Sequence, residues 1–373
     1  MSTTELPVAE VSPPELRTFV TEKKLGLGED GPPISVSIKG LGDVVAVFDG
    51  MGGAGAIQVP AVEPAIEDLN KLRTMAYVAS NAVSSLVGGK LRQWGKGSIQ
   101  DLQMQLNVDI PKRLSELAER PNGRGMKPGL KGTLLQEYPT TIAIGFVQNS
   151  EDNLSRTVSA LWAGDSRICV LDPDSKYPLQ IVTRDHTSEG GGGDAALGRF
   201  ASASGLDLEF HSVLTGPHSA VIAMTDGCYG YMSDFDLMYL LVNTLQLSRD
   251  LDEWVQMLEQ QISARAGDDA ALSISLGIGG YKRLRELTAS RLNDFHDIRN
   301  VPQYSPYVSA FHIESFRSLM SKENDGSIAP PLEVPVVEVP VVEFDLKTSE
   351  NEDDSKLDKV KKYFEEKLGN KNG

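Results

Sequence analysis

The sequence predicts an α+β fold, with antiparallel sheets and helices packed outside them. Three observations carry that prediction. Segments rich in β-branched residues come in runs. Segments with helical periodicity come in pairs set between those runs. The order therefore departs from the strict strand–helix alternation of a doubly wound parallel sheet. The chain has 373 residues, 40% of them hydrophobic, enough to bury a sizeable core.

The elements follow in order. Residues 1 to about 15 are rich in Pro, Ser and Glu and are expected to be disordered. "PISVSI" (33–38) and "DVVAVF" (43–48) are predicted strands joined by the turn signal "KGLG". From Pro60 to about Val87 the pattern is helical, with Leu69, Leu72, Ala76, Ala79 and Val83 at three- and four-residue steps. Gly88 and Gly89 are expected to stop it. A second helical zone at about 98–118 is expected to break near Pro111, and a loop follows at 121–132. Strands return at 140–147, 156–164, 167–172 and 179–183. The glycine-rich stretch 186–196, with "SEGGGG" inside it, is a predicted mobile loop. A strand at 219–227, helices at 234–246 and 251–265, and a closing strand at 268–280 complete a domain spanning 16–280. Residues 281–320 are predicted to be a charged helical extension. The 321–373 segment holds "EVPVVEVPVVE", whose regular prolines suit a linker or docking peptide, then an acidic cluster. Leu357, Val360, Phe364 and Leu368 could form one face of a short amphipathic helix. Its mixed Lys and Glu suit a partner protein better than a membrane.

Bulk charge narrows the partners. A net charge of −16 disfavours nucleic acid and anionic membranes. Phosphorylated substrates stay open, because a bound cation reverses the local field. Two cysteines, Cys169 and Cys228, suit a reducing compartment. The N-terminal stretch has no signal-peptide pattern, and no apolar run approaches the ~18 residues of a membrane span. A cytoplasmic globular protein is expected.

The chemistry gathers where strands meet acidic residues. "AVFDGMGG" gives Asp49, "LWAGDSR" gives Asp165 and "IAMTDGCYGYMSD" gives Asp226. "ARAGDDAALSI" opens a strand with Asp268 and Asp269, and Glu29 and Asp30 precede the first strand. Each alone reads as an ordinary Asp-Gly turn. As a set, such carboxylates would repel one another unless a cation sat among them. Oxygen ligands without paired His or Cys favour Mg²⁺ or Mn²⁺ over Zn²⁺.

These motifs, with "TTIAIGFV", "RICVL" and "VTRDHT" in the same order, resemble the metal-dependent protein serine/threonine phosphatases of type 2C. The "DGMGG" form is similar to the bacterial branch. The resemblance runs from Glu29 to Gly279. It implies a four-layer α-β-β-α sandwich with two central antiparallel sheets, and two Mn²⁺ or Mg²⁺ ions at one edge. It implies Asp49 as the bridging ligand, Gly50 as a ligand through its carbonyl, and Asp226 with Asp268 completing the first ion's shell. Asp268 is preferred over Asp269, which falls where the family often has Asn. Glu29 and Asp30 would serve the second ion, and Asp165, with Asp226 shared, a third. Asp49 and Asp226 are the expected catalytic pair, acting on phosphorylated protein substrates through a metal-bridging water. Leu25 stands where many members carry a phosphate-binding arginine, so Lys23 or Lys24 is the expected substitute phosphate ligand, with Arg17 as another candidate. Met51 replaces the histidine of eukaryotic members. That missing arginine and the tail motivate the alternative: a weakly active or inactive phosphatase-fold scaffold that docks partners through 321–373.

Overall fold

The computed structural model describes residues 15–60, 72–94, 97–120, 137–186 and 199–291. The chain divides into two units, Met1–Phe316 and Arg317–Gly373, and every described residue belongs to the first. The expectations for residues 1–14, the 121–132 loop, the "SEGGGG" stretch, the extension past 291 and the tail fall outside the described residues.

In chain order the strands are β1 (Leu16–Thr21), β2 (Gly31–Ile38), β3 (Gly42–Phe48), β4 (Gln58–Pro60) and β5 (Leu72–Thr74). Helices α1 (Met75–Gln93) and α2 (Ile99–Ala118) follow. Then come β6 (Ile142–Asn149), β7 (Arg156–Ala163), β8 (Arg167–Leu171), β9 (Leu179–Ile181), β10 (Glu209–Thr215) and β11 (Ala220–Met224). Helices α3 (Asp234–Leu247) and α4 (Leu251–Ser263), β12 (Ala270–Leu276) and α5 (Gly280–Ser290) complete the described part.

Two antiparallel five-stranded sheets face each other, in the orders β10-β7-β6-β3-β2 and β1-β12-β11-β8-β9. Successive strand residues point to opposite faces, so β3 shows why its sequence is apolar throughout. Val45 and Val47 join Val158, Val170 and Val221 between the sheets. Val44, Ala46 and Phe48 meet Ala79 and Val83 of α1 and Leu106 and Ile110 of α2 on the outside. Across the other sheet, α4 lies along β1 and α5 against β12. Trp254 of α4 donates to the Leu241 carbonyl of α3 at 3.2 Å, and the Tyr281 hydroxyl of α5 donates to that of Leu245 at 3.1 Å. The layers are therefore helix, sheet, sheet, helix, the α+β sandwich that the resemblance implies. Among the described residues no helix is long and apolar enough to cross a membrane.

Three expectations are corrected. In the helix predicted from Pro60 to Val87, Pro60 and Leu72 lie instead in the paired strands β4 and β5, with Leu72 exposed, α1 begins at Met75, and positions 61–71, Leu69 included, fall outside the described residues. It also runs through Gly88 and Gly89 to Gln93, because Val83, Val87 and Leu91 continue the buried stripe across them. Helix α2 passes Pro111 without a break. Its Ser98–Asp101 capping box and the buried row Leu102, Leu106, Ile110 and Leu114 outweigh one lost backbone bond. Strands β1 and β10 lacked a strong enough alternation to be predicted. Both are sheet edges with largely exposed residues.

The two sheets are tied at one end by Arg156, the most deeply buried of the described arginines, 2% exposed. It lies 3.7 Å from Asp43 and donates to the Ser219 carbonyl at 2.6 Å and to the Ser275 hydroxyl at 3.3 Å. Ser275 in turn donates to Asp43 at 2.8 Å. Asp43 and Arg156 belong to one sheet, Ser275 to the other.

Candidate metal centre

Strand register brings the predicted acidic residues to the end opposite Arg156. In one sheet Gly31 pairs with Phe48, and Ile142 with Ala163. The start of β2, the end of β3, the start of β6 and the end of β7 are therefore level, and they carry Asp30, Asp49, Thr141 and Asp165. In the other sheet Met224 pairs with both Leu272 and Arg167. This aligns Asp226, just past β11, with the Asp268–Asp269 pair before β12.

Asp49 leaves β3 with its carbonyl fixed. The Thr141 amide donates to it at 2.9 Å and the Thr140 hydroxyl at 2.6 Å. Its side chain is therefore directed by a rigid stem. The turn after it needs glycine for space. A Cβ on Gly50 would meet the Glu29 carbonyl oxygen at 2.2 Å, and one on Gly52 the Glu29 Oε2 at 1.8 Å. Glu29 thus lies directly against the glycine turn. The Ser80 hydroxyl of α1 donates to the Glu29 carbonyl at 2.5 Å.

Asp30 is the buried member, 9% exposed, while Glu29, Asp49, Asp165 and Asp226 are half-buried. The Thr225 hydroxyl donates to Asp30 Oδ2 at 2.9 Å across the sheets and accepts from the Ala271 amide at 2.9 Å. Burial, then the charges of Asp269 and Asp226, push Asp30 up to about 8, although its bond from Thr225 works the other way. Burial and the charges of Asp30, Asp226 and Asp165 hold Asp49 well above the ordinary carboxylate range. Asp49 shares side-chain hydrogen bonds with both Asp30 and Asp226. A bond between two carboxyls needs a proton on one of them. As the side chains stand, no three described His, Cys, Asp or Glu residues form a ready ligand set for an ion.

Asp269 is committed elsewhere. Its carboxylate accepts from the Lys23 amide at 2.8 Å and the Glu29 amide at 2.7 Å, and so clasps the loop that delivers Glu29 and Asp30. Asp268 is exposed beside it. Lys23 and Lys24 are exposed on that loop, and Leu25 is 98% exposed. Asp165 sits on a turn opened by Gly164 at φ 109°, where a Cβ would meet Thr141 Cβ at 2.6 Å. The Tyr229 hydroxyl donates to the Asp165 carbonyl, and Arg167 lies 3.9 Å above the Tyr229 ring. Arg167 is itself held by Asp185 at 2.7 and 2.9 Å and by Asp234 at 3.2 Å.

The donor set fits a hard divalent cation. It is all oxygen, its carboxyls converge, and main chain approaches closely at Gly50. Sequence reasoning found the aspartates but missed Thr225, Ser80 and Asp269's clasp. Thr225 had a signal, standing directly before Asp226 in "AMTDG"; Ser80 had none.

No protein-family model matches the chain, and no curated protein sequence matches it. Solved structures do. A serine/threonine phosphatase of S. agalactiae is 16% identical, with a TM-score of 0.51 over 71% of this chain and 99% of that one. A bacterial serine phosphatase is 15% identical, with a TM-score of 0.50 over 72% of this chain and 98% of that one. Identities this low speak for the fold, and the fold is that of these phosphatases. It agrees with the resemblance carried by the motifs.

Proposed function

We propose that the chain is a metal-dependent phosphatase that hydrolyses phosphoserine and phosphothreonine in proteins, in the cytoplasm, with two Mn²⁺ or Mg²⁺ ions and a third, weaker one. The observation that carries this reading is the gathering of Asp30, Asp49 and Asp226 at one sandwich edge, where burial and neighbouring carboxylates hold Asp30 and Asp49 above the ordinary carboxylate range. When bound, the ions would ease loss of a proton from a water and neutralise phosphoryl oxygens.

The chain's own residues have distinct tasks. Asp49, beside Asp30 and Asp226, would serve both ions, the role that the resemblance implies for it. The Gly50 carbonyl and Asp226 would serve one ion, and Glu29 and Asp30 the other. Asp165, with Asp226, would hold the third. Asp269 is spent on two amides, which favours Asp268 as the residue of the pair that would meet the ion. Thr225 and Ser80 position Asp30 and Glu29. Met51 is buried and has no proton to give, so solvent protonates the leaving alkoxide.

The test is Mn²⁺-dependent hydrolysis of a phosphopeptide and of p-nitrophenyl phosphate. Asp49→Asn is expected to lower kcat/KM by ~10³-fold or more, as when a group acting on developing charge is removed. Full activity in Asp49→Asn would refute the reading. Wild-type protein inert with both ions would favour the second reading, a weakly active or inactive regulator docking partners through 321–373. The exposed Leu25 motivates that second reading, since it puts no cation where the resemblance expects one.

A further inference from the structure

A phosphate monoester approaching this edge carries two negative charges toward a cluster of carboxyls, so a cation of the chain itself is needed beside the ions. Arg167 lies near this edge but is taken by Asp185 and Asp234. Arg17 pairs with Ile274, toward the Arg156 end, and is held by Asp252. Arg265, three residues before Asp268, is exposed and donates to the Gln261 carbonyl of α4. Arg73 has no carboxylate partner among the described residues. It projects from β5, immediately before α1, and its guanidinium lies 4.7 Å from the centroid of the Tyr77 ring. One terminal nitrogen donates to the Gly26 carbonyl. Its Nε is buried and has no hydrogen-bond partner among the described residues. A buried donor without an acceptor is costly, and more so on a charged group.

The surroundings of Arg73 place it at the carboxylate edge. Gly26 belongs to the loop that Asp269 clasps at Lys23 and Glu29. On its other side, the glycine turn after Asp49 is bonded to the start of α1. The Ile57 carbonyl accepts from the Met75 amide at 2.8 Å, and that of Gly55 from the Ala76 amide at 3.3 Å. Ser80, which holds Glu29, is only five residues into the same helix, ~8 Å along it. Arg73 therefore sits between the two segments that carry Glu29 and Asp49.

We infer that Arg73 is the substrate-phosphate ligand of this site, supplying from β5 the guanidinium that the Leu25 position lacks. Its planar fork presents neighbouring donors to a phosphate oxygen pair, which the exposed Lys23 and Lys24 cannot match. The contact with Tyr77 holds the guanidinium in place, and no described carboxylate compensates its charge. The inference rests on the phosphatase reading, and its test separates the two.

The test uses Mn²⁺-loaded full-length protein and two variants. Arg73→Ala removes the side chain, and Arg73→Met keeps an apolar stem on Tyr77. Binding of inorganic phosphate is measured by calorimetry, beside KM and kcat for p-nitrophenyl phosphate. Loss of a charge-assisted bond should weaken phosphate binding and raise KM by about 10- to 100-fold. The fall in kcat should be much smaller, Mn²⁺ binding unchanged, and Arg73→Lys should recover part of the loss. A folded Arg73→Met protein with wild-type KM and phosphate affinity would overturn the inference and leave the phosphatase reading standing. Arg73-dependent phosphate binding without turnover in the wild type would uphold Arg73 and overturn the catalytic reading. No phosphate binding by Mn²⁺-loaded wild type would overturn the inference outright.

Discussion

At the scale of single residues, the site depends as much on absent side chains as on present ones. Gly227 follows Asp226, and a Cβ there would meet the Asp269 backbone oxygen at 1.8 Å and its carbonyl carbon at 2.7 Å. Backbone cannot swing away as a side-chain tip can. Gly227→Ala is therefore expected to destabilise the protein by about 2–3 kcal/mol, as overpacking does. That corresponds to a Tm lower by ~5–10 °C for a domain of this size, checked by calorimetry. Because the shift separates Asp226 from Asp268, Mn²⁺ affinity should fall with it. The legibility of the sequence was uneven at this scale. Asp49 and Asp226 were visible because a charge at the end of an apolar run contradicts its surroundings. Arg73 was not, because apolar spacing from Leu69 through Leu72 to Ala76 drew it into a helix. The hairpin that holds it pairs residues across the segment 61–71, and local periodicity carries no information on such pairing.

At the scale of elements, tertiary packing decided against local propensity in three places. Helix α1 continues through Gly88 and Gly89, α2 continues through Pro111, and β1 forms at an edge with few buried side chains. In each case a partner surface supplied what local sequence withheld: the core for the helices, and β12 with α4 for β1. Helix α1 still carries the cost of its glycines. A Cβ on Gly89 would meet nothing within 4 Å, and its φ is not in the left-handed region. Gly89→Ala should thus raise stability by about 0.5–1 kcal/mol through helix propensity alone. A rise in Tm of ~1–4 °C without change in hydrolysis would check it. The strands of the central sheets were easier to read, since burial on both faces writes a continuous apolar run. Their register was not legible, and register is what brings Asp30, Asp49 and Asp226 together.

At the scale of the whole molecule, the two ends of the sandwich are built differently, and pH should tell them apart. Asp30 titrates near 8 in the folded protein, because burial disfavours its charge, against ~3.9 in an unfolded chain. Its protonated form therefore contributes stability that is complete below pH ~4 and is lost as pH rises through about 8. Asp49 shifts in the same direction. Metal-free protein is expected to unfold at a lower urea concentration at pH 8 than at pH 6, and Mn²⁺ at pH 8 should reverse the difference. Equal midpoints at the two pH values would contradict this account. The Arg156 end takes no part in that titration. Its guanidinium is lowered to about 10 by burial, against the pull of Asp43, and stays charged throughout. Mechanically, the sandwich resembles a clothes-peg. Arg156, Asp43 and Ser275 form a pivot that closes unaided, whereas the opposite jaw is sprung apart by like charges and needs a fastener. Protons fasten it below about pH 8; a divalent cation would fasten it above. The ion is then more than a reagent. Its supply would govern how long the jaw stays shut as well as how fast the site turns over, so starvation for the metal would shorten the life of the protein along with its rate.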